Sequence, residues 1–246
     1  MRLKEKVAII TGVSHAGQAG YAVARAFARE GARLTICSRN QERVSARAQE
    51  LRSEDERRQV LAVAADLTTE EGARMLIQKT VETYGRIDIL VNLAGGLTKY
   101  GPSDELKLAD WESELNNNLR TALLCTQAVW PVMKRQGSGK ILNFSRAGRA
   151  EDSSPRMVAY NCAKAGVDAL TRTFAKEGET AGIYVNALGP GLLTTESNIT
   201  TMKPSAEELA SRWVSLDLLA EAAIFLVSPA SDGINGVKLP VQATKR

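Results

Sequence analysis

Histidine is almost absent. His15 is the only one among 246 residues. A single imidazole cannot build a histidine metal cluster, and a Ser-His-Asp triad would need it far from the glycine-rich stretch where it lies. Cysteine is scarce as well, with only Cys37, Cys125 and Cys162. An odd count, wide spacing and apolar neighbours argue against a disulfide framework and fit a reducing compartment. Aromatic residues make up 5% of the chain, and the net charge is only +4, from 32 basic and 28 acidic side chains. The basic residues do not cluster with interleaved aromatics, so a nucleic-acid partner is not expected. The small positive balance still suits an anionic cofactor or substrate. Long apolar runs are missing too. Residues 1–6 are charged, and the run at 7–10 is too short for a signal peptide or a membrane span. These absences lead to the expectation of a cytoplasmic globular protein with no membrane partner.

What is present is a steady alternation. Short β-branched runs are followed by longer amphipathic segments. Val7–Thr11, Arg33–Ser38, Val60–Ala64 and residues 87–91 read as strands in the first half. Residues 19–30, 41–52 and 69–84 read as the helices between them. Gly31 and Gly85 follow two of these helices as C-terminal caps should. In the second half, residues 111–135 read as a helix that Pro131 should kink. Residues 140–145, 183–188 and 236–241 read as strands, and residues 158–181 and Leu216–Val227 as helices. No linker or composition shift interrupts the pattern. One α/β domain over 1–246 is expected: a doubly wound, Rossmann-like parallel sheet of about seven strands with helices on both faces. Residues 189–212, rich in Thr, Ser and Pro, read as a long irregular functional loop.

The first strand runs into Thr11-Gly12-Val13-Ser14-His15-Ala16-Gly17-Gln18-Ala19-Gly20. Glycines at such a turn let backbone N–H groups approach a pyrophosphate at the N-terminus of the next helix. The second strand ends in Cys37-Ser38-Arg39, with no acid to accept hydrogen bonds from a ribose 2′-hydroxyl. Serine followed by arginine can instead hold a 2′-phosphate, which points to NADP(H). His15 could reach a phosphate or simply face solvent.

Tyr160-Asn161-Cys162-Ala163-Lys164 places Tyr and Lys one turn apart on a helix. A phenol is a poor acid or base near neutrality. A nearby ammonium should lower its pKa and suit it to proton transfer at an alcohol oxygen, while a nicotinamide handles the hydride. Ser145, at the end of a strand, can donate to the substrate oxygen. Cys162 points away from this face and reads as packing. Arg146, Arg149 and Arg156 bracket the site, either as solvated charges or as recognition of an anionic substrate or phosphopantetheine carrier.

These motifs, in this order, resemble the short-chain dehydrogenase/reductase family through nearly the whole chain. Asn92-Leu93-Ala94-Gly95 is similar to its NNAG motif. Asn118, Ser145, Tyr160 and Lys164 are similar to its catalytic tetrad. Asn186 to Gly191, with Pro190-Gly191-Leu192-Leu193-Thr194-Thr195, is similar to its PG motif beside the nicotinamide. The resemblance implies that Lys164 also binds the ribose hydroxyls, Thr195 meets the carboxamide, Asp66 lies near adenine, and Asn118 holds a water for proton relay. It implies a cofactor site drawn from Gly12, Ser14, His15, Gly17, Gly20, Ser38, Arg39, Asp66, Leu67, Asn92, Ala94, Gly95, Tyr160, Lys164, Pro190, Gly191, Leu193 and Thr195. The glycine loop departs from the family's TGxxxGxG. Gly20 takes the third glycine position, Gln18 stands at the middle one, Gly17 is displaced, and two residues are added. Two extra residues also separate Ser145 from Tyr160, and a short segment after Thr195 implies a small lid. The expected activity is interconversion of a ketone and a secondary alcohol, with a 3-oxoacyl thioester as substrate. A non-catalytic dinucleotide-binding redox sensor is the alternative. The apolar residues Leu123, Leu124, Val129, Val167, Leu170 and Phe174 imply a homo-oligomer, a tetramer or a dimer.

Overall fold

A computed structural model describes residues 1–148 and 154–243. In chain order the first half runs β1 (Val7–Thr11), α1 (Ala19–Arg29), β2 (Arg33–Ser38), α2 (Gln41–Glu54), β3 (Val60–Ala64), α3 (Glu70–Tyr84) and β4 (Ile89–Asn92). Then come α4 (Leu108–Leu115), α5 (Thr121–Gln136), β5 (Gly139–Phe144) and α6 (Val158–Gly178). The rest is β6 (Ile183–Pro190), β7 (Leu192–Leu193), α7 (Glu196–Met202), α8 (Ala206–Arg212), β8 (Trp213–Val214), α9 (Leu216–Val227) and β9 (Lys238–Val241).

Seven strands form one sheet in the order β3-β2-β1-β4-β5-β6-β9, every neighbouring pair parallel. Alternate residues of each strand feed opposite layers. Ala8 and Ile10 of β1 pack with Val23 and Phe27 of α1, Leu51 of α2 and Ile224 of α9. Ile9 packs on the other face with Leu76 of α3, Val129 and Met133 of α5 and Ala175 of α6. Strands covered on both faces must be apolar at almost every position, and β1 is buried from end to end. Among the described residues, no helix is long and apolar enough to cross a membrane.

One expectation fails here, and another is narrowed. Pro131 lies inside α5 without ending it, so the helix is not broken there. The break in the long helix comes earlier, as a π turn at Asn116–Arg120 between α4 and α5. Residues 189–212 are not an irregular loop either. They carry the end of β6, the short strand β7 and the helices α7 and α8. Polar side chains misled the reading because they act as caps. Thr195 Oγ1 accepts from the N–H of Asn198, and Ser205 forms a reciprocal capping box with Glu208.

Candidate active site

β1 lies between β2 and β4, so the chain leaves the C-terminal ends of β1 and β4 in opposite directions. Open α/β sheets hold a crevice at such a switch point. Here Thr11 ties its walls together. Its buried hydroxyl donates to Val91 O (3.2 Å) and accepts from the N–H groups of Leu93 (3.0 Å) and Ala94 (2.9 Å). Gly12 follows at φ 79°, and a Cβ there would lie 2.9 Å from Ala94 Cα. A Cβ on Gly20 would meet Gly12 O at 2.4 Å. Gly20 is therefore where α1 presses against the end of β1. Gly17 faces elsewhere: its carbonyl accepts from Glu196 N (2.9 Å), and its missing Cβ would strike the Glu196 side chain. Ser197 Oγ also donates to Gln18 Oε1 (3.1 Å). The lengthened loop is thus stapled to the start of α7.

A cleft of about 270 Å³ opens at this point. Gly12, Ser14, Ser38, Arg39, Asp66, Leu67, Ala94 and Gly95 are among the residues that line it. Thr68 donates to Asp66 through both N–H and hydroxyl, and these bonds hold the Asp66 carboxyl below its ordinary pKa, with Arg39 adding to the effect. Arg43, on the first turn of α2, also lines the cleft, and its Nη1 lies 3.1 Å from His15 Nε2. Arg43 was missed in the sequence. The available signal was Asn40, an N-cap that accepts from Arg43 N and places this arginine one turn after Arg39.

Asn92 does not point into the cleft. Its amide donates to Asn143 (2.9 Å), Thr126 (3.1 Å) and Ala122 O (3.4 Å), and Asn143 donates in turn to Thr171 (2.9 Å). This network joins β4, β5, α5 and α6 beneath the site. The Asn92 Oδ1 is buried without a hydrogen-bond partner.

At the end of β5, Ser145 is buried, with its hydroxyl on Lys164 O at 3.4 Å. Tyr160 and Lys164 stack on α6, the ammonium 5.5 Å from the phenol ring centre. Lys164 is buried and donates to Phe144 O (2.8 Å). Burial pushes the Lys164 pKa down to about 8, against the attraction of Asp168 and Glu114. Burial also pushes the Tyr160 phenol up to about 12, while Arg146 draws it down. The expected lowering of the Tyr160 pKa by Lys164 is therefore corrected: the ammonium is spent on a carbonyl, and desolvation dominates. Asn118 sits in the π turn, buried, with its amide on both N and O of Gly96.

The model of the short chain dehydrogenase family matches residues 6–206. The chain belongs to this family. It is 34% identical over 246 residues to D-threitol dehydrogenase of Mycolicibacterium smegmatis, covering 98% of this chain and 92% of that protein. It is 32% identical to a 3-oxoacyl-[acyl-carrier-protein] reductase of Thermotoga maritima, covering 96% of each. The crystal structure of levodione reductase superposes with a TM-score of 0.89 at 28% identity, over 98% of this chain and 97% of that one.

The remaining candidate residues of this short-chain dehydrogenase lie on β6, β7 and the start of α7, outside the lining of the cleft. Pro190 ends β6, and Gly191 N donates to Val241 O (2.9 Å). Leu193 pairs with Val214, and Thr195 is a buried cap of α7. Arg146 donates to Ser154 Oγ (3.0 Å), while Arg156 lies over the Tyr100 ring, 5.3 Å from its centre. Arg149 lies outside the described residues. Cys162 is exposed, so it does not pack as expected. Sequence reasoning also missed Lys238 and Asp168. Lys238 Nζ bonds Gly148 O and Asp168 Oδ2, both at 2.8 Å, and so ties β9 and α6 to the turn that follows Ser145. Asp168 stands four residues after Lys164, a spacing that could have flagged it.

Proposed function

We propose that residues 1–246 act as one catalytic domain, a cytoplasmic NADP(H)-dependent enzyme that interconverts a ketone and a secondary alcohol. The observation that carries this reading is the stacking of Tyr160 and Lys164 on α6, with the Ser145 hydroxyl on Lys164 O, in a chain that also has a cleft at the switch point. The cleft's donor set fits a phosphorylated dinucleotide. Arg39, Arg43, Ser38 and His15 offer donors at one end, and no acid stands at the end of β2 to meet a ribose diol. Ser14 and the glycine backbone would hold the pyrophosphate, Asp66 and Leu67 the adenine, and Lys164, Leu193 and Thr195 the nicotinamide riboside. The nicotinamide, when bound, supplies the hydride.

The chain's own residues manage the proton. A phenol held near 12 is protonated at neutral pH, the form that reduction of a carbonyl needs. Tyr160 gives that proton to the carbonyl oxygen and Ser145 orients the oxygen. Lys164, with the more acidic proton of the two, restores the phenol, and Asn118 links the site to solvent through a held water. A 3-oxoacyl thioester is the proposed substrate class. Support comes from the named relatives, which include acyl-carrier-protein reductases and a dehydrogenase of a succinyl-CoA derivative. The sensor reading is not favoured, because sensing has no use for a Ser, Tyr and Lys set brought together on β5 and α6. Oxidation of NADPH in the presence of acetoacetyl-CoA and a panel of ketones tests the proposal. Absence of turnover with every carbonyl, while NADPH still binds, overturns it.

Arg39→Ala should weaken NADPH binding by about 1–3 kcal/mol, the range of a charge-assisted hydrogen bond, and leave NADH binding almost unchanged. Fluorescence titration of both cofactors measures the difference. Equal affinities of the parent protein for NADPH and NADH reject the 2′-phosphate assignment.

A homo-oligomer, tetramer or dimer, is also proposed. Leu124, Val129 and Val167 are buried within the chain, but Leu123, Leu170 and Phe174 remain partly open along α5 and α6. Light scattering at micromolar concentration should give a multiple of 26.6 kDa. A monomeric mass refutes it.

A further inference from the structure

We propose that Glu114 is a positioning residue for the reaction: a buried carboxylate that sets the amide orientation of Asn118 and fixes residues 96–99 beside it. The inference rests on the ketone–alcohol reading above. Glu114 lies on α4, fully buried, four residues before Asn118. Both of its oxygens are used. Oε1 accepts from the N–H of Thr98, the hydroxyl of Thr98 (2.6 Å) and the N–H of Lys99 (2.8 Å). Oε2 accepts from Asn118 Nδ2 (3.0 Å). The other side of Asn118 is committed as well, since its Oδ1 accepts from Gly96 N (2.9 Å) and its Nδ2 donates to Gly96 O (3.0 Å).

This arrangement joins three parts of the site. Gly96 and Thr98 line the dinucleotide cleft. Asn118 belongs to the π turn, which packs on α6 so closely that a Cβ on Gly166 would lie 2.7 Å from Leu119. α6 carries Tyr160 and Lys164, and both feel the charge of Glu114. The Lys99 ammonium is not the counterion, because it pairs with Asp110 at 2.9 Å. A buried charge held by neutral donors is an expensive way to pack a helix, and an apolar residue would fill the space without that penalty. The carboxylate has a specific use, because it alone can accept on both sides at once.

Glutamine shows why. Its amide has one accepting oxygen and one donating nitrogen. If the oxygen faces Thr98 and Lys99, the glutamine nitrogen opposes Asn118 Nδ2, which keeps the carbonyls of Gly96 and Glu114 (3.0 Å each) but must move away from a donor that has replaced an acceptor. If the oxygen faces Asn118, three donors of residues 98–99 lose their acceptor. Either way the contact that joins Asn118 to residues 98–99 through one side chain is broken.

The test is a double-mutant cycle of Glu114→Gln and Asn118→Ala, read as kcat and KM with NADPH and acetoacetyl-CoA. Glu114→Gln should lower kcat about 10- to 100-fold, as misplacement by an ångström does, with a smaller change in KM. In the Asn118→Ala background the same substitution should have almost no further effect on kcat, because its route is already cut. A simple packing defect would give the same fold-loss in both backgrounds. If the glutamine variant does not fold, Glu114→Asp keeps the charge and withdraws it by one methylene, and the same non-additivity is expected. Amide hydrogen exchange is an independent readout on the protein without substrate. Gly96, Thr98 and Lys99 should all exchange at least about tenfold faster in Glu114→Gln. Wild-type kcat in the glutamine variant, additive losses in the cycle, or unchanged exchange at Gly96 each overturn the proposal. If the parent protein turns over no ketone, the ketone–alcohol reading fails by itself, and exchange at Gly96 still decides whether Glu114 orients Asn118.

Discussion

Tyr160→Phe should lower ketone turnover by about two to four orders of magnitude, the contribution of a positioned proton donor. The ring stays and only the ionisable hydroxyl goes, so packing on α6 should survive and NADPH affinity should change little. The pH dependence follows from burial. Desolvation holds the phenol protonated up to about 12. Reduction, which consumes a phenol proton, should therefore be insensitive to Tyr160 ionisation across neutral pH. Alcohol oxidation needs the phenolate, so its rate should keep climbing as pH rises above 8. Steady-state rates in both directions from pH 6 to 10 check this. Retention of most of the parent rate in Tyr160→Phe removes Tyr160 from the chemistry. A plateau of oxidation below pH 8 shows instead that the complex, with cofactor and substrate in place, reverses the effect of burial.

Lys164→Met should have opposite effects on function and on stability. Turnover should fall by a comparable two to four orders of magnitude, and NADPH binding should weaken as well, because the same ammonium is proposed to restore the Tyr160 proton and to hold the ribose. The folded protein should nevertheless become more stable at neutral pH. The Lys164 pKa is about 8 in the folded chain against an ordinary 10.5. The unfolded chain thus binds the proton more tightly between pH 8 and 10.5, and unfolding is favoured most below 8. That difference corresponds to about 3 kcal/mol, and loss of the bond to Phe144 O offsets roughly 1 kcal/mol of it. The methionine variant should gain about 2 kcal/mol at pH 7. The gap should narrow through pH 8, close between about 9 and 10.5 where the charging penalty falls to the size of the lost hydrogen bond, and reverse above that. Denaturant unfolding of both proteins at pH 7 and pH 10 measures it. A methionine variant less stable than its parent at pH 7 contradicts the reading of Lys164 as a desolvated ammonium. The trade would be typical of a functional site, where a group is held at a cost to the fold.

How much of the site was legible is best seen residue by residue. Tyr160 and Lys164 were found because four residues of helix place two side chains on one face, a purely local rule. Gly20 was picked as one of the glycines at the first βα turn, and the structure adds that α1 presses there on the end of β1, where a Cβ would lie 2.4 Å from Gly12 O. Asn92 was picked by its motif, but the bonds of its amide nitrogen to residues 30 to 51 positions away carried no local signal. Glu114 carried no signal at all. It reads as an ordinary acid on an amphipathic helix until Thr98 and Lys99 are brought over it.

The alternation of apolar runs and amphipathic segments determined the parallel sheet with helices on both faces, because a strand covered twice and a helix covered once differ in period. The spacing of Gly12 and Gly20 determined where a cleft would open, and that of Tyr160 and Lys164 that the two side chains would stack, because these are contacts within one turn or one βα unit. Only the tertiary structure decided the electrostatics of that pair. The Lys164 ammonium donates to Phe144 O, both groups are desolvated, and burial raises the phenol pKa and lowers the ammonium pKa, each in favour of its own neutral form. Only the tertiary structure turned residues 189–212 into capped helices stapled to the glycine loop, and placed a buried carboxylate under Asn118. The physical reason is common to all of these. Burial and long-range hydrogen bonds depend on which distant segments arrive at one place, and no local spacing in the chain encodes that.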